Sequence, residues 1–327
     1  MLIKKKIYEP MIVTIPDDAA FFSILNPAEK ATEKVVMENY INFYCYKDSG
    51  TDISFFRFED FLKRGNIEGM DSCFVPLGML QRGQSGIDIL VELLMEEYVI
   101  SVPIMKEYIK FYGSSAEGTH VVFVYGADTF QKTFLCKDFA GHAFVEFTVS
   151  FEEMQNSLLN YNICCPKEQN NLNAFRINEK VSPDIEYAKV YSEFHKLCQD
   201  FSSRRAGYGM GAIDLYLREV RGYPQNTELA GSWYVLANYL REATKLMNYR
   251  YRILEKEIPM TREGLTEGEK ILRKLEQDTD MLFFKIARMK RKRIIVDSDI
   301  ADSLTGTVEI CKEDFRRVAD YFCRIVC

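Results

Sequence analysis

Residues 117–141, EGTHVVFVYGADTFQKTFLCKDFAG, hold one of the chain's three histidines directly before an apolar run, and an aspartate at the far end of the next. THVVFVYGAD and TFLCKDF are rich in β-branched and aromatic residues, so each reads as a strand, with the polar segment between them as the turn. Antiparallel neighbours bring facing side chains to about 5 Å of one another. His120 and Asp138 are therefore within reach of a hydrogen bond. In that arrangement the carboxylate fixes the imidazole tautomer and stabilises its protonated form, the role of the third member in nucleophile, base and acid triads. The same spacing suits an ordinary sheet, with His120 at a strand edge and Asp138 as a turn former before FAG. Spacing alone leaves both readings open.

The flanks set the fold class. Ahead of this hairpin, MIVTI reads as a strand, AAFFSILNPAEKATEKVVMENYI as helix, INFYCY and ISFFRF as strands around the turn KDSGTD, SGIDILVELLMEEY as helix and VISVPIM as strand. Beyond it, HAFVEFTV adds a further strand, and SFEEMQNSLL opens with Ser150 three residues before Glu153, a capping-box signature. After CCPKEQNNLNAFRINEKVSPD, which has strand character only in its middle, the pattern is helical almost to the end: five segments carry apolar residues three and four apart. The expectation is an α+β domain over residues 1–165 and a mostly α-helical extension over 166–327 packed on it. No period of repeat length is present.

A chain of 327 residues, 47% hydrophobic and 28% charged, has the balance of a soluble globular protein. Its start has no apolar stretch of signal-peptide length, and no run approaches the roughly 18 apolar residues of a membrane span, so the expected location is cytoplasmic, without a membrane partner. Nine cysteines, an odd number with no CxxC pair and no Cys/His cluster at zinc spacing, point to reduced thiols that mostly pack, and to no metal. A net charge of −6 argues against nucleic acid as a partner. The local basic cluster KIARMKRKR (285–293) reads as a solvated helix end or as a site for an acidic partner.

GTHVVFVYGADTFQKTFLCKDF, followed by VEFTVSFEEMQNSL, resembles the histidine and aspartate strands of the papain-like fold in the branch typified by the butirosin biosynthesis H protein. Members show a histidine, an apolar strand, YGYD, a hairpin and a strand ending in Asp-Phe; here Ala127 interrupts the YGYD pattern. YGMGAIDLYLREV (208–220) and WYVLANYLREATKLMNYRYRIL also look like the helical C-terminal part of that family. The resemblance implies a papain-like N-terminal half with His120 and Asp138 as catalytic residues. It implies amide formation in natural-product biosynthesis: an acyl group passes from the phosphopantetheine arm of an acyl or peptidyl carrier protein to a small-molecule amine, with no cofactor bound by this chain.

One slot departs from the family. Papain-like enzymes place a cysteine at the N-terminus of the first long helix, where the helix dipole and the histidine favour a thiolate. Here that slot reads TIPDDAAFFSIL, and the nearest cysteine, Cys45, lies past the helix. Asp17 and Asp18 take the place. An aspartate before an apolar helix is a favoured N-cap, worth about 1 kcal/mol over alanine; as site residues, either would pair with protonated His120. Direct transfer then follows, with His120 as general base and backbone N–H groups at the helix start polarising the thioester carbonyl. The alternative is a catalytically inactive papain-like protein that binds a substrate or partner.

Other features rank lower. Cys73, in GMDSCFVPLG, reads as a loop residue, either a displaced nucleophile or a small packing residue. GYGMG (207–211) lacks the strand and lysine of a phosphate loop and reads as a turn before a helix. His142 and His195 have no paired ligands, and His195 reads as a packing residue on its helix. The helix around Arg250 and Arg252 suits a cover for the cleft or a dock for an acidic carrier domain, although core packing explains the same stripe.

Overall fold

The computed structural model describes residues 1–14, 16–47, 54–59, 67–113, 115–140, 143–161, 171–178, 180–222 and 229–327. Its elements, in chain order, are β1 (Leu2–Lys4), α1 (Pro16–Ser23), α2 (Lys30–Glu38), β2 (Phe43–Lys47), β3 (Ser54–Phe58), β4 (Met70–Pro76), α3 (Leu77–Leu80), α4 (Gln84–Met95) and β5 (Val99–Met105). There follow β6 (Thr119–Asp128), β7 (Thr133–Ala140), β8 (Ala143–Ser150), α5 (Phe151–Leu159), β9 (Asn171–Ile177), α6 (Tyr187–Leu197), β10 (Asp200–Ser202) and β11 (Ala206–Gly209). The last four are α7 (Met210–Gly222), α8 (Leu229–Glu257), α9 (Arg262–Arg291) and α10 (Ser298–Val326). The fold is α+β, with antiparallel sheets and a helical C-terminal region.

Two compact units interleave along the chain, Met1–Glu29 with Gly65–Ser182 and Lys30–Arg64 with Pro183–Cys327. They do not follow a cut at 165. Strand pairing is the reason: β9, beyond that point, pairs with β4 and β5, while β2, well before it, pairs with β3 on one side and with β11 on the other. Such long-range pairing leaves no trace in local composition.

The first unit is built on one antiparallel sheet in the order β4-β9-β5-β6-β7-β8, with β1 added on β6. Side chains alternate faces along a strand. On one face Ile100, Val102, Ile104, Val122, Val124, Phe134 and Cys136 join Leu90 and Leu94 of α4 and Met154 and Leu158 of α5 in a dry cluster. The other face carries Phe175, whose ring meets Phe21 of α1 edge-on at 5.9 Å. β6 has a bulge between Val124 and Gly126, where a Cβ would lie 2.5 Å from the Ile3 carbonyl oxygen. Only glycine lets β1 approach there.

Several local expectations change. MIVTI is not a strand: it lies between Pro10 and Pro16, which have no N–H for a ladder, and the described residues 11–14 form no regular element. The expected long helix splits into α1 and α2 around Asn26 and Pro27, because the residue before a proline avoids the helical region. Asn26 accepts from the Ala28 N–H at 3.1 Å and turns the chain. Cys73 lies not in a loop but in β4, opposite Ala174 and packed on the core cluster. Of the turn KDSGTD, Lys47 ends β2 and the rest, 48–52, falls outside the described residues.

The second unit holds a four-stranded sheet, β10-β11-β2-β3, and six helices, α2 and α6 to α10. Phe43 and Phe58 stack at 5.7 Å, and Phe43 meets Phe315 of α10 edge-on at the same separation. GYGMG supplies the end of β11 and the start of α7; Gly209, at φ +55°, makes the tight join. A Cβ at Gly209 would lie 2.6 Å from the Lys196 carbonyl oxygen. Arg250 is not a docking charge. It is fully buried, donating from Nε to the Val36 carbonyl at 2.9 Å and from Nη2 to those of Asn39 at 2.6 Å and Tyr40 at 3.0 Å. These are the orphan carbonyls at the end of α2, which a cation caps well.

Candidate functional site

His120 pairs in register with Ile104 on β5. β6 and β7 pair Phe123 with Lys137, so one step further along the ladder Asp138 stands opposite Val122. His120 and Asp138 are thus diagonal neighbours on one face, a separation that long side chains bridge. His120 Nε2 lies 2.7 Å from Asp138 Oδ2. The imidazole is 30% exposed and the carboxylate fully buried. This face is the one that α4 and α5 cover, since Ile104, Val122 and Cys136 share it.

A second group holds the carboxylate. The Tyr112 hydroxyl donates to Asp138 Oδ2 at 2.5 Å, and the Phe139 N–H donates to Oδ1 at 2.7 Å. Burial, then the charge of Asp138, pushes the Tyr112 hydroxyl well above the usual tyrosine value, so it stays protonated and remains a donor. Its ring meets the imidazole edge-on at 5.5 Å. Every contact at Asp138 asks it to accept, so Nε2 carries a proton toward it, and in the neutral imidazole the lone pair is then on Nδ1. Among the described residues no hydrogen bond reaches Nδ1.

Tyr112 is placed by the turns Lys106–Tyr108 and Lys110–Tyr112, which are tied to α5. Ser157 accepts from the Met105 N–H at 2.7 Å and donates to the Met105 carbonyl at 3.0 Å. Glu153 accepts from the Lys110 N–H at 3.1 Å and closes the expected capping box with Ser150. Burial raises the pKa of Glu153, but hydrogen bonds from Ser150 and Lys110 outweigh it and hold the group below its ordinary value. Phe111 stacks on Phe147 at 3.7 Å, fixing the same turn from the β8 side. No sequence motif marked Tyr112; it reaches Asp138 across 26 residues.

Among the described residues, the hydrogen bond of the imidazole is the one to Asp138. Pro16 opens α1, so Asp17 and Asp18 lie inside its first turn rather than at the N-cap. Asp18 is fully buried. α1 packs on the Phe175 face, opposite the face of His120. The N–H groups at the helix start thus belong to a helix packed on the other face of the sheet. Of the thiols, Cys136 shares the His120 face, but it is buried and its pKa is raised well above normal by desolvation. Cys45 lies in the second unit, buried, with its thiol pushed up to about 12. His195 is exposed on α6 and stacks on Tyr191 rather than packing in a core. His142 lies outside the described residues. Among those described, no group of three or more His, Cys, Asp or Glu side chains is arranged to hold a metal, and no helix is long and apolar enough to cross a membrane. No family model matches the chain, and a search of curated proteins finds no match.

Proposed function

We propose that this protein moves an acyl group from a carrier-protein thioester to a small-molecule amine, with His120 as general base and Asp138 as the residue that orients it. The observation that carries the reading is the fully buried carboxylate held on one side by Tyr112 and on the other by a part-exposed imidazole. A solvent-reachable base with its second nitrogen fixed by a buried acid is the arrangement that general-base catalysis needs. The likeness of residues 117–141 to the histidine and aspartate strands of papain-like, butirosin-H-like proteins supports the substrate class and the papain-like assignment.

The amine nitrogen attacks the thioester carbonyl carbon while His120 Nδ1 takes its proton. The C–N bond forms, the C–S bond breaks, and the proton passes to the departing phosphopantetheine thiolate. Holding donor and acceptor together supplies much of the acceleration. No thiol of this chain enters the step.

A second reading has its own support. α1 and His120 occupy opposite faces of the sheet, and among the described residues the thiol that shares the imidazole's face, Cys136, is buried with its pKa raised; both suit a papain-like protein that binds without turnover. Incubation with acyl-loaded carrier protein and amine, read by mass spectrometry of the amide, separates the two. Acyl transfer that His120→Ala abolishes and thiol alkylation leaves intact supports the first; binding of the loaded carrier without turnover supports the second. Turnover retained in His120→Ala overturns the first.

A further inference from the structure

The basic cluster at 285–293 ends α9, and beside it α10 begins. Between them lies a groove of about 730 Å³ whose exposed lining is mostly apolar. Phe284, Met289 and Ile294 come from the α9 side and Ile300 from α10. Phe284 is 57% exposed and Ile294 37%, and here they share one concave site with further apolar side chains. Above this floor stand Arg288 and Lys292, which form no ion pair among the described residues, whereas Lys285 is tied to Ser303 Oγ at 3.0 Å. The α10 wall carries one acid, Asp299.

We infer that this groove docks an acidic amphipathic helix of a partner protein. Its occupant must bring apolar side chains for the floor and negative charge for two cations that are otherwise unanswered. A helix laid between two helices does both, with apolar residues at i, i+3, i+4 and i+7 in the groove and carboxylates toward Arg288 and Lys292. An anionic membrane surface fits less well, because the site is concave, Asp299 forms part of its wall, and the chain as a whole carries −6. The inference is independent of the His120 reading.

The test uses the full chain and a fluorescein-labelled synthetic peptide of about four helical turns, with leucine at the i, i+3, i+4, i+7 positions and glutamate flanking them. The expected result is saturable binding by anisotropy that weakens with added salt. It falls about tenfold or more in Arg288→Glu/Lys292→Glu, less in Arg288→Gln/Lys292→Gln, about tenfold in Phe284→Ser, and not at all in Arg273→Glu elsewhere on α9. These side chains are exposed, and helix content by circular dichroism verifies each fold. Absence of binding, equal binding of a scrambled peptide of the same composition, or no loss in the Arg288 and Lys292 variants overturns the proposal. So does binding to phosphatidylglycerol vesicles that depends on Arg288 and Lys292 while the peptide fails to bind.

Discussion

At Asp138, three donors converge on two oxygens, and the balance among them sets what His120 can do. Removing the tyrosine hydroxyl leaves the carboxylate buried with one donor fewer, at a cost of about 1.5–3 kcal/mol for a hydrogen bond to a charged group. Tyr112→Phe therefore lowers stability by that amount in urea titration. An unchanged urea midpoint would show that the hydroxyl is not a donor on which the buried carboxylate depends. His120 and Asp138 were legible from the sequence, since a hairpin of this length forces them near one another. Tyr112 was not: it comes from a turn whose only regular signal is aromatic content, and its partner lies across a tertiary contact. The face covered by the helix that carries Asp17 and Asp18 was not legible for a related reason. A carboxylate pair before an apolar helix looks alike whichever face of a sheet the helix covers.

Among the elements, those with self-contained signals matched their expectation. Ser150 and Glu153 formed the capping box of α5, and the runs VISVPIM, THVVFVYGAD, TFLCKDF and HAFVEFTV formed β5 to β8. α10 shows the limit: CKEDFRRVADYFCRIV was read as its helical part, yet the helix begins at Ser298, where Asp297 caps it by accepting from the Ile300 N–H at 2.8 Å. The more polar stretch before it carries Leu304 and Val308, which continue with Cys311 as a buried seam at helical spacing. The most consequential element contact is Arg250 of α8 against the last turn of α2. Arg250→Ala removes the donor for three buried carbonyls and the packing of a long side chain, so it destabilises by about 3 kcal/mol or more. Arg250→Lys recovers a part, since an ammonium group reaches fewer of them. A loss below about 0.5 kcal/mol in equilibrium unfolding, the usual effect of a surface change, would contradict the cap.

For the molecule as a whole, the buried thiols give a signature in alkali. Desolvation pushes Cys45 and Cys311 from 9.0 up to about 12, so the folded state keeps these protons where the unfolded chain has lost them. The unfolded state then binds fewer protons than the folded one, and stability falls as pH rises. Their stabilising preference is intact below about pH 9 and is lost progressively between about 9 and 12. Urea midpoints measured across that window decline for the wild type and decline less steeply in Cys45→Ala/Cys311→Ala; equal slopes would contradict the burial of these thiols. The α+β class was legible from periodicity, but the division into interleaved units was not, because it depends on which distant strands pair. The same holds for the separation of α1 from the His120 face, and that separation leaves the histidine and its acid as the core of the functional account. A double-mutant cycle in the amide-forming assay tests that core most directly. If Asp138 acts only through His120, Asp138→Asn slows turnover by orders of magnitude and the double variant with His120→Ala is no slower than His120→Ala alone. Losses that multiply, or an Asp138→Asn variant at the wild-type rate, would contradict it.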